Sequence, residues 1–131
     1  MSSIFSKIIA GKIPSYKIVE DPNFIAFLDI HPVAKGHALV VPKKEVNYIF
    51  DMEDRALADM MVFAKQVAKA MQKAIRCKKI GMAVIGLDVP HAHIHLIPIK
   101  EESDMYFNNP RKEFQPTEFE TIAKAIADAF E

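Results

Sequence analysis

Residues 89–98 read Val-Pro-His-Ala-His-Ile-His-Leu-Ile-Pro, so that His91, His93 and His95 alternate with Ala92, Ile94 and Leu96. A period of two belongs to extended chain, whose successive side chains point to opposite faces. The pattern predicts an internal strand over His91 to Ile97, with three imidazoles on one face and an apolar face packed on a core. The apolar face is enough to seat the strand, so the histidines are not needed to stabilise the sheet and mark a site. Imidazole changes charge near neutral pH and serves as nucleophile or general acid and base, which points to chemistry at phosphorus or at a metal.

The rest of the chain supplies the elements such a strand needs. Ser2 or Ser3 can cap a short helix in which Ile4, Phe5, Ile8 and Ile9 fall at helical spacing, closed by Gly11 before Pro14. Tyr16 to Glu20 and Phe24 to Leu28 read as strands of a hairpin joined by Asp21-Pro22-Asn23, and His37 to Val41 as a third strand ending at Pro42. Asp51 is the expected cap of one long helix from about Met52 to Arg76, with Leu57, Met60, Met61, Ala64, Val67, Ala68, Met71 and Ile75 along an apolar stripe that packs on the sheet. Ile80 to Ile85 precedes the histidine strand. Beyond Lys100 the chain turns polar, and Thr117-Glu118-Phe119-Glu120 opens a terminal helix reaching Phe130 as a capping box. Runs of strands with segregated helices imply an α+β class.

Composition narrows the functions open to this fold. At 131 residues the chain fits one domain over 1–131, with a core in 1–100 and an extension with a helix in 101–131. Seventeen acidic residues balance seventeen basic ones, and no long run of like charge appears, so nucleic acid and membrane surfaces are not expected partners. The single Cys77 excludes an internal disulfide framework, and Lys7 and Lys12 interrupt any secretory apolar run, so a cytoplasmic location is expected. A metal meets a geometric limit. About 3.3 Å of rise per residue sets the Cα atoms of His91 and His95 roughly 13 Å apart, whereas zinc holds its nitrogens at about 2.0 to 2.1 Å. One pair can chelate, but not all three without a severe bend.

The run His91-Ala92-His93-Ile94-His95-Leu96-Ile97 resembles the signature of the histidine triad (HIT) family, and the likeness extends upstream. Ile4 to Ser15, Ala26-Phe27-Leu28-Asp29-Ile30-His31-Pro32 and Gly36-His37-Ala38-Leu39-Val40-Val41-Pro42-Lys43 look like the corresponding segments of its Hint-like branch, bacterial type. The resemblance implies a HIT-like half-barrel of about five antiparallel strands carrying the long helix, and a homodimer paired through that helix and the adjoining sheet edge. It implies a purine nucleotide or nucleotide conjugate as ligand, hydrolysed through a covalent nucleotidyl-histidine with no obligatory cofactor.

The same resemblance assigns roles. His93 is the nucleophile, His95 contacts phosphate oxygen, His91 orients the site and His37 is a fourth supporting histidine. Asp29 accepts from the ribose hydroxyls, while Ile4, Phe5, Ile8, Phe27 and Ile30 border the base. The segment Gly86-Leu87-Asp88-Val89-Pro90 departs from the family pattern, lacking its Gln, small hydroxyl residue and Asn. Asp88 and Val89 stand where phosphate contacts are expected, and a carboxylate there repels phosphate unless protonated or aimed at a histidine or a leaving amine. Dinucleoside polyphosphate hydrolysis and nucleotide binding with little turnover are the alternative functions.

Overall fold

Alternation of side chains about one sheet organises the fold. The computed structural model describes residues 3–130, and the strands are β1 (Lys17–Glu20), β2 (Phe24–Leu28), β3 (Ala38–Pro42), β4 (Lys79–Ala83) and β5 (Ile94–Ile99). They form one antiparallel sheet in the order β1-β2-β3-β5-β4. Three helices, α1 (Ile4–Ile9), α2 (Asp54–Ala74) and α3 (Pro116–Asp128), complete an α+β architecture.

On one face, Phe24, Ala26, Leu28, Ala38, Val40, Ile94 and Leu96 meet Met60, Phe63, Val67 and Met71 of α2 and Phe119, Ile122 and Ile126 of α3 in the main core. The stripe of α2 is thus core packing, as its spacing predicts, except at Met61, which is 43% exposed. On the other face Phe5 of α1 joins Ile25, Phe27, Leu39 and Val41 in a smaller cluster. Every residue of β2 and β3 is buried, so these strands read as continuous apolar runs covered on both sides. The second face carries the site, because His95 follows the parity of Leu39, its partner in β3.

The hairpin turn is as expected: Asp21 Oδ1 accepts from the Asn23 and Phe24 amides at 2.8 and 2.7 Å. Several boundaries differ from those the sequence predicts, among them β4, which spans Lys79–Ala83 instead of Ile80 to Ile85. Ile49–Asp51 forms a 3-10 turn, Met52 is extended and buried, and Glu53 stands at the start of α2, so Asp51 is not its cap. The far end of α2 stops at Ala74 because Ile75 turns extended and packs beside Gly36. The box opening α3 is Gln115 with Glu118, whose Oε1 accepts the Gln115 amide at 3.0 Å, followed by Pro116, whose missing N–H costs nothing in the first turn. Strand β5 starts three residues late, at Ile94.

At the amino end Ser3 caps α1, its Oγ accepting the Ser6 amide at 3.0 Å; Ser2 lies outside the described residues. Gly11, at φ 77°, closes that helix in a conformation side chains rarely adopt.

Candidate active site

A cleft of about 770 Å³ opens on the second face, between α1, the end of β2, the 85–89 loop and β5. Its size suits a nucleotide-sized ligand. The apolar candidates Ile4, Phe5, Ile8, Phe27 and Ile30 all line it, as do Asp29, Asp88 and Val89. His93 and His95 line it too. His91 and His37 stand behind them, at 0% and 1% exposure. The three imidazoles do share the α1 side, with the His91 and His93 rings edge-on to Phe5 at 5.9 and 4.9 Å, but His91 precedes β5 and its ring is held behind the cleft by hydrogen bonds to Ser3 and Pro42.

Those bonds fix the protons. His93 Nδ1 lies 2.8 Å from the His91 carbonyl, which only accepts, so a neutral His93 carries its proton on Nδ1 and its lone pair on Nε2. The Val33 amide donates to His37 Nδ1 at 3.1 Å, which leaves the His37 proton on Nε2. That N–H donates to His95 Nδ1 at 3.0 Å, so His95 carries its own proton on Nε2. Of the neighbouring rings of His93 and His95, one thus offers a nucleophilic nitrogen and the other an N–H donor. Their centroids are 4.8 Å apart.

Electrostatics keep these rings neutral. Burial lowers the pKa of His37 from 6.5 to about 4, against the pull of the Asp29 carboxylate. Burial, with the neighbouring His93 and His37, lowers His95 to about 3. His93 is lowered as well, first by burial, while the charges of Asp29 and Asp88 oppose the change. A neutral imidazole is the form that can attack.

Asp29 sits at the end of β2, where its Oδ1 accepts the His31 amide at 2.8 Å and its Oδ2 lies 3.6 Å from His37 Nε2. Asp29, His37 and His95 bring three potential metal-ligand atoms within 4.8 Å of one another. A cation on His37 Nε2 needs that ring's proton on Nδ1, where the Val33 N–H already points, so two buried donors would face each other. The Val33 contact therefore opposes a cation on His37 Nε2.

The carboxyl-terminal extension, whose position the sequence leaves open, reaches this chain's own cleft. Phe107 packs edge-on against His95 at 4.8 Å between centroids, and the Arg111 guanidinium is pinned to the carbonyls of His31 and Phe107 at 2.8 and 3.0 Å. Both line the cleft.

Residues 10–102 match the family model described as the HIT domain. The chain belongs to the HIT family. Among HIT relatives, an adenosine 5′-monophosphoramidase of Saccharomyces cerevisiae is 39% identical over 123 residues, covering 92% of this chain and 76% of that protein. Another adenosine 5′-monophosphoramidase, from Schizosaccharomyces pombe, is 34% identical and covers 97% of both. The crystal structure of a Hit-like protein from Bartonella henselae superposes with a TM-score of 0.85 at 34% identity, covering 98% of this chain and 96% of that one. A zinc-bound histidine triad protein from Mycobacterium smegmatis gives 0.82 at 27% identity, covering 98% and 93%. The HIT fold expected from the motifs is thus the fold observed, and among the described residues no helix is long and apolar enough to cross a membrane.

Proposed function

We propose that the chain hydrolyses conjugates of nucleoside 5′-monophosphates, phosphoramidates in particular, through a covalent nucleotidyl-His93. The observation that carries this reading is the pair of complementary nitrogens in one cleft: a lone pair on His93 Nε2 beside a proton on His95 Nε2. His93 Nε2 bonds to phosphorus as the bond to the leaving group breaks, the electron pair departing with that group, which takes a proton from solvent in the open cleft, one that the hydrolysing water later returns. Water then attacks phosphorus, the P–N bond breaks, and the nucleoside monophosphate leaves with His93 neutral again. His95 donates to a phosphate oxygen as charge develops there. No metal is obligatory, and the names of the yeast relatives support the substrate class.

The apolar end formed by Phe5, Ile8 and Phe27 takes the base, and Asp29 takes the ribose hydroxyls. Asp29→Asn is expected to raise KM for a ribonucleotide conjugate about 10-fold, the worth of a charge-assisted hydrogen bond. The matching 2′,3′-dideoxy conjugate, which lacks those hydroxyls, loses much less. Equal losses for both sugars would reject the ribose role.

One observation favours a second reading. Arg111 brings a fixed positive charge to the cleft, which suits a leaving group made of further phosphates, as in dinucleoside polyphosphates. Release of AMP from an adenosine phosphoramidate, measured beside release from diadenosine polyphosphate, separates the two. Faster turnover of the phosphoramidate supports the first, and turnover of the polyphosphate alone replaces it. A homodimer is part of the proposal, for which the β4 edge offers Met82, 43% exposed, with Leu87, 87% exposed, in the loop that follows. Sedimentation at twice the 14.8 kDa chain mass is the expected result.

A further inference from the structure

His91 is fully buried, does not line the cleft, and is bound at both ring nitrogens. Its Nε2 lies 2.7 Å from the Pro42 carbonyl, which must accept, so Nδ1 carries the lone pair and takes a hydrogen bond from the Ser3 hydroxyl at 2.7 Å. Ser3 is itself fixed. Its amide donates to Glu45 Oε1 at 2.7 Å, the same oxygen takes the Ser6 hydroxyl at 2.7 Å, and the Ser6 amide returns a bond to Ser3 Oγ at 3.0 Å. The first turn of α1 is thereby locked to a carboxylate that follows β3 and to a ring that precedes β5.

This lock has a chemical end point. The carbonyl that holds the proton of His93 belongs to His91, a residue outside the β5 ladder. Sheet pairing does not aim that carbonyl. The His91 and Ala92 amides are held by the carbonyls of Val89 and Val46 at 2.8 and 2.7 Å, and the ring is held by Pro42 and Ser3. We infer that Ser3 is a positioning residue for the His93 reaction: by clamping the His91 ring it aims the His91 carbonyl at His93 Nδ1 and keeps the His93 lone pair on Nε2. The inference rests on His93 being the nucleophile. A hydroxyl is required because Ser3 is 5% exposed, so alanine leaves the buried Nδ1 of His91 without its donor, whereas threonine keeps one.

The full chain carrying Ser3→Ala or Ser3→Thr tests it, with kcat and KM for an adenosine phosphoramidate and the proton resonance of His93 Nδ1–H followed by NMR. Ser3→Ala is expected to lower kcat about 10-fold with KM within about 2-fold, as a small misaiming of reacting groups does. Its His93 Nδ1–H resonance broadens through exchange with water, and Ser3→Thr restores both. Unchanged kcat and resonance in Ser3→Ala overturn the inference, even if thermal stability falls. A loss that Ser3→Thr fails to restore overturns it too. If the wild type cleaves no nucleotide conjugate, the proposed function fails, and the His93 resonance alone decides whether Ser3 governs that proton.

Discussion

His93→Ala is expected to lower kcat for an adenosine phosphoramidate by about 10⁴-fold or more, because the proposed nucleophile is lost and neither neighbour replaces it. His95 has the wrong nitrogen facing the cleft: its lone pair is engaged by His37 and its outward nitrogen carries a proton. His91 is sealed in the interior between Ser3 and Pro42. The fold survives the change, since the ring's neighbours Phe5 and His95 line an open cleft where truncation leaves solvated space instead of a sealed void. Steady-state rates, circular dichroism and intact mass after rapid neutral quenching check all three points. A transient mass increase of one nucleotidyl group is expected in the wild type and none in the variant, and near-normal turnover in His93→Ala would refute the assignment. His95→Ala keeps the nucleophile and loses a donor, so its fall in rate is smaller, on the order of 100-fold.

The legibility of this site in the sequence follows from the range of the contacts that build it. Strand periodicity is local, so His93, His95 and the opposed core residues Ile94 and Leu96 declare themselves in seven residues, and the ordered motifs upstream point to the fold. His91 keeps that period but not a place in the cleft, because its ring partners lie 88 and 49 residues away, at Ser3 and Pro42. Nothing within a few residues of His91 encodes that pull. Phe107 and Arg111 belong to an extension that the sequence offers to a pocket, its own or a dimer partner's, without placing it: the polar composition of 101–116 signals an irregular segment, while its return to the cleft depends on anchors such as the Lys112 amide on the Pro32 carbonyl at 2.8 Å. The start of α2 departs from its sequence signal for a local reason. Aspartate is a good cap, yet burial of Met52 holds the backbone extended and delays the helix to Asp54.

Acidification from pH 7 to pH 4 is expected to destabilise the fold by a few kcal/mol through the rings assigned to the proposed chemistry. His37 and His95 have folded-state pKa values of about 4 and about 3, against 6.5 in the unfolded chain, both lowered first by burial. Above pH 6.5 both states hold these rings neutral and the full stability is present. Between 6.5 and about 4 the unfolded chain binds protons that the folded chain refuses, so stability rises with pH across this window and is lost as pH falls through it. Each tenfold loss of proton affinity on folding corresponds to about 1.4 kcal/mol. The two rings face each other at 5.2 Å between centroids, so protonating one opposes protonating the other and their losses do not simply add. Glu20 and Glu45, lowered to about 2 by hydrogen bonds from Lys17 and from the Ser3 amide, act with the same sign but only below their ordinary value of 4.5. The histidine contribution is therefore separable by pH: thermal midpoints measured at half-unit steps should already fall between about pH 6.5 and 5, where those carboxylates remain ionised. His37→Gln removes one titrating ring and should flatten that slope, while a midpoint constant from about pH 7 to 5 in the wild type would show that the rings accept protons in the folded state. A proton added to His37 Nδ1 would face the Val33 N–H, and one added to His95 Nδ1 would face the His37 Nε2–H, so the hydrogen bonds that set the donor arrangement also oppose protonation of both rings.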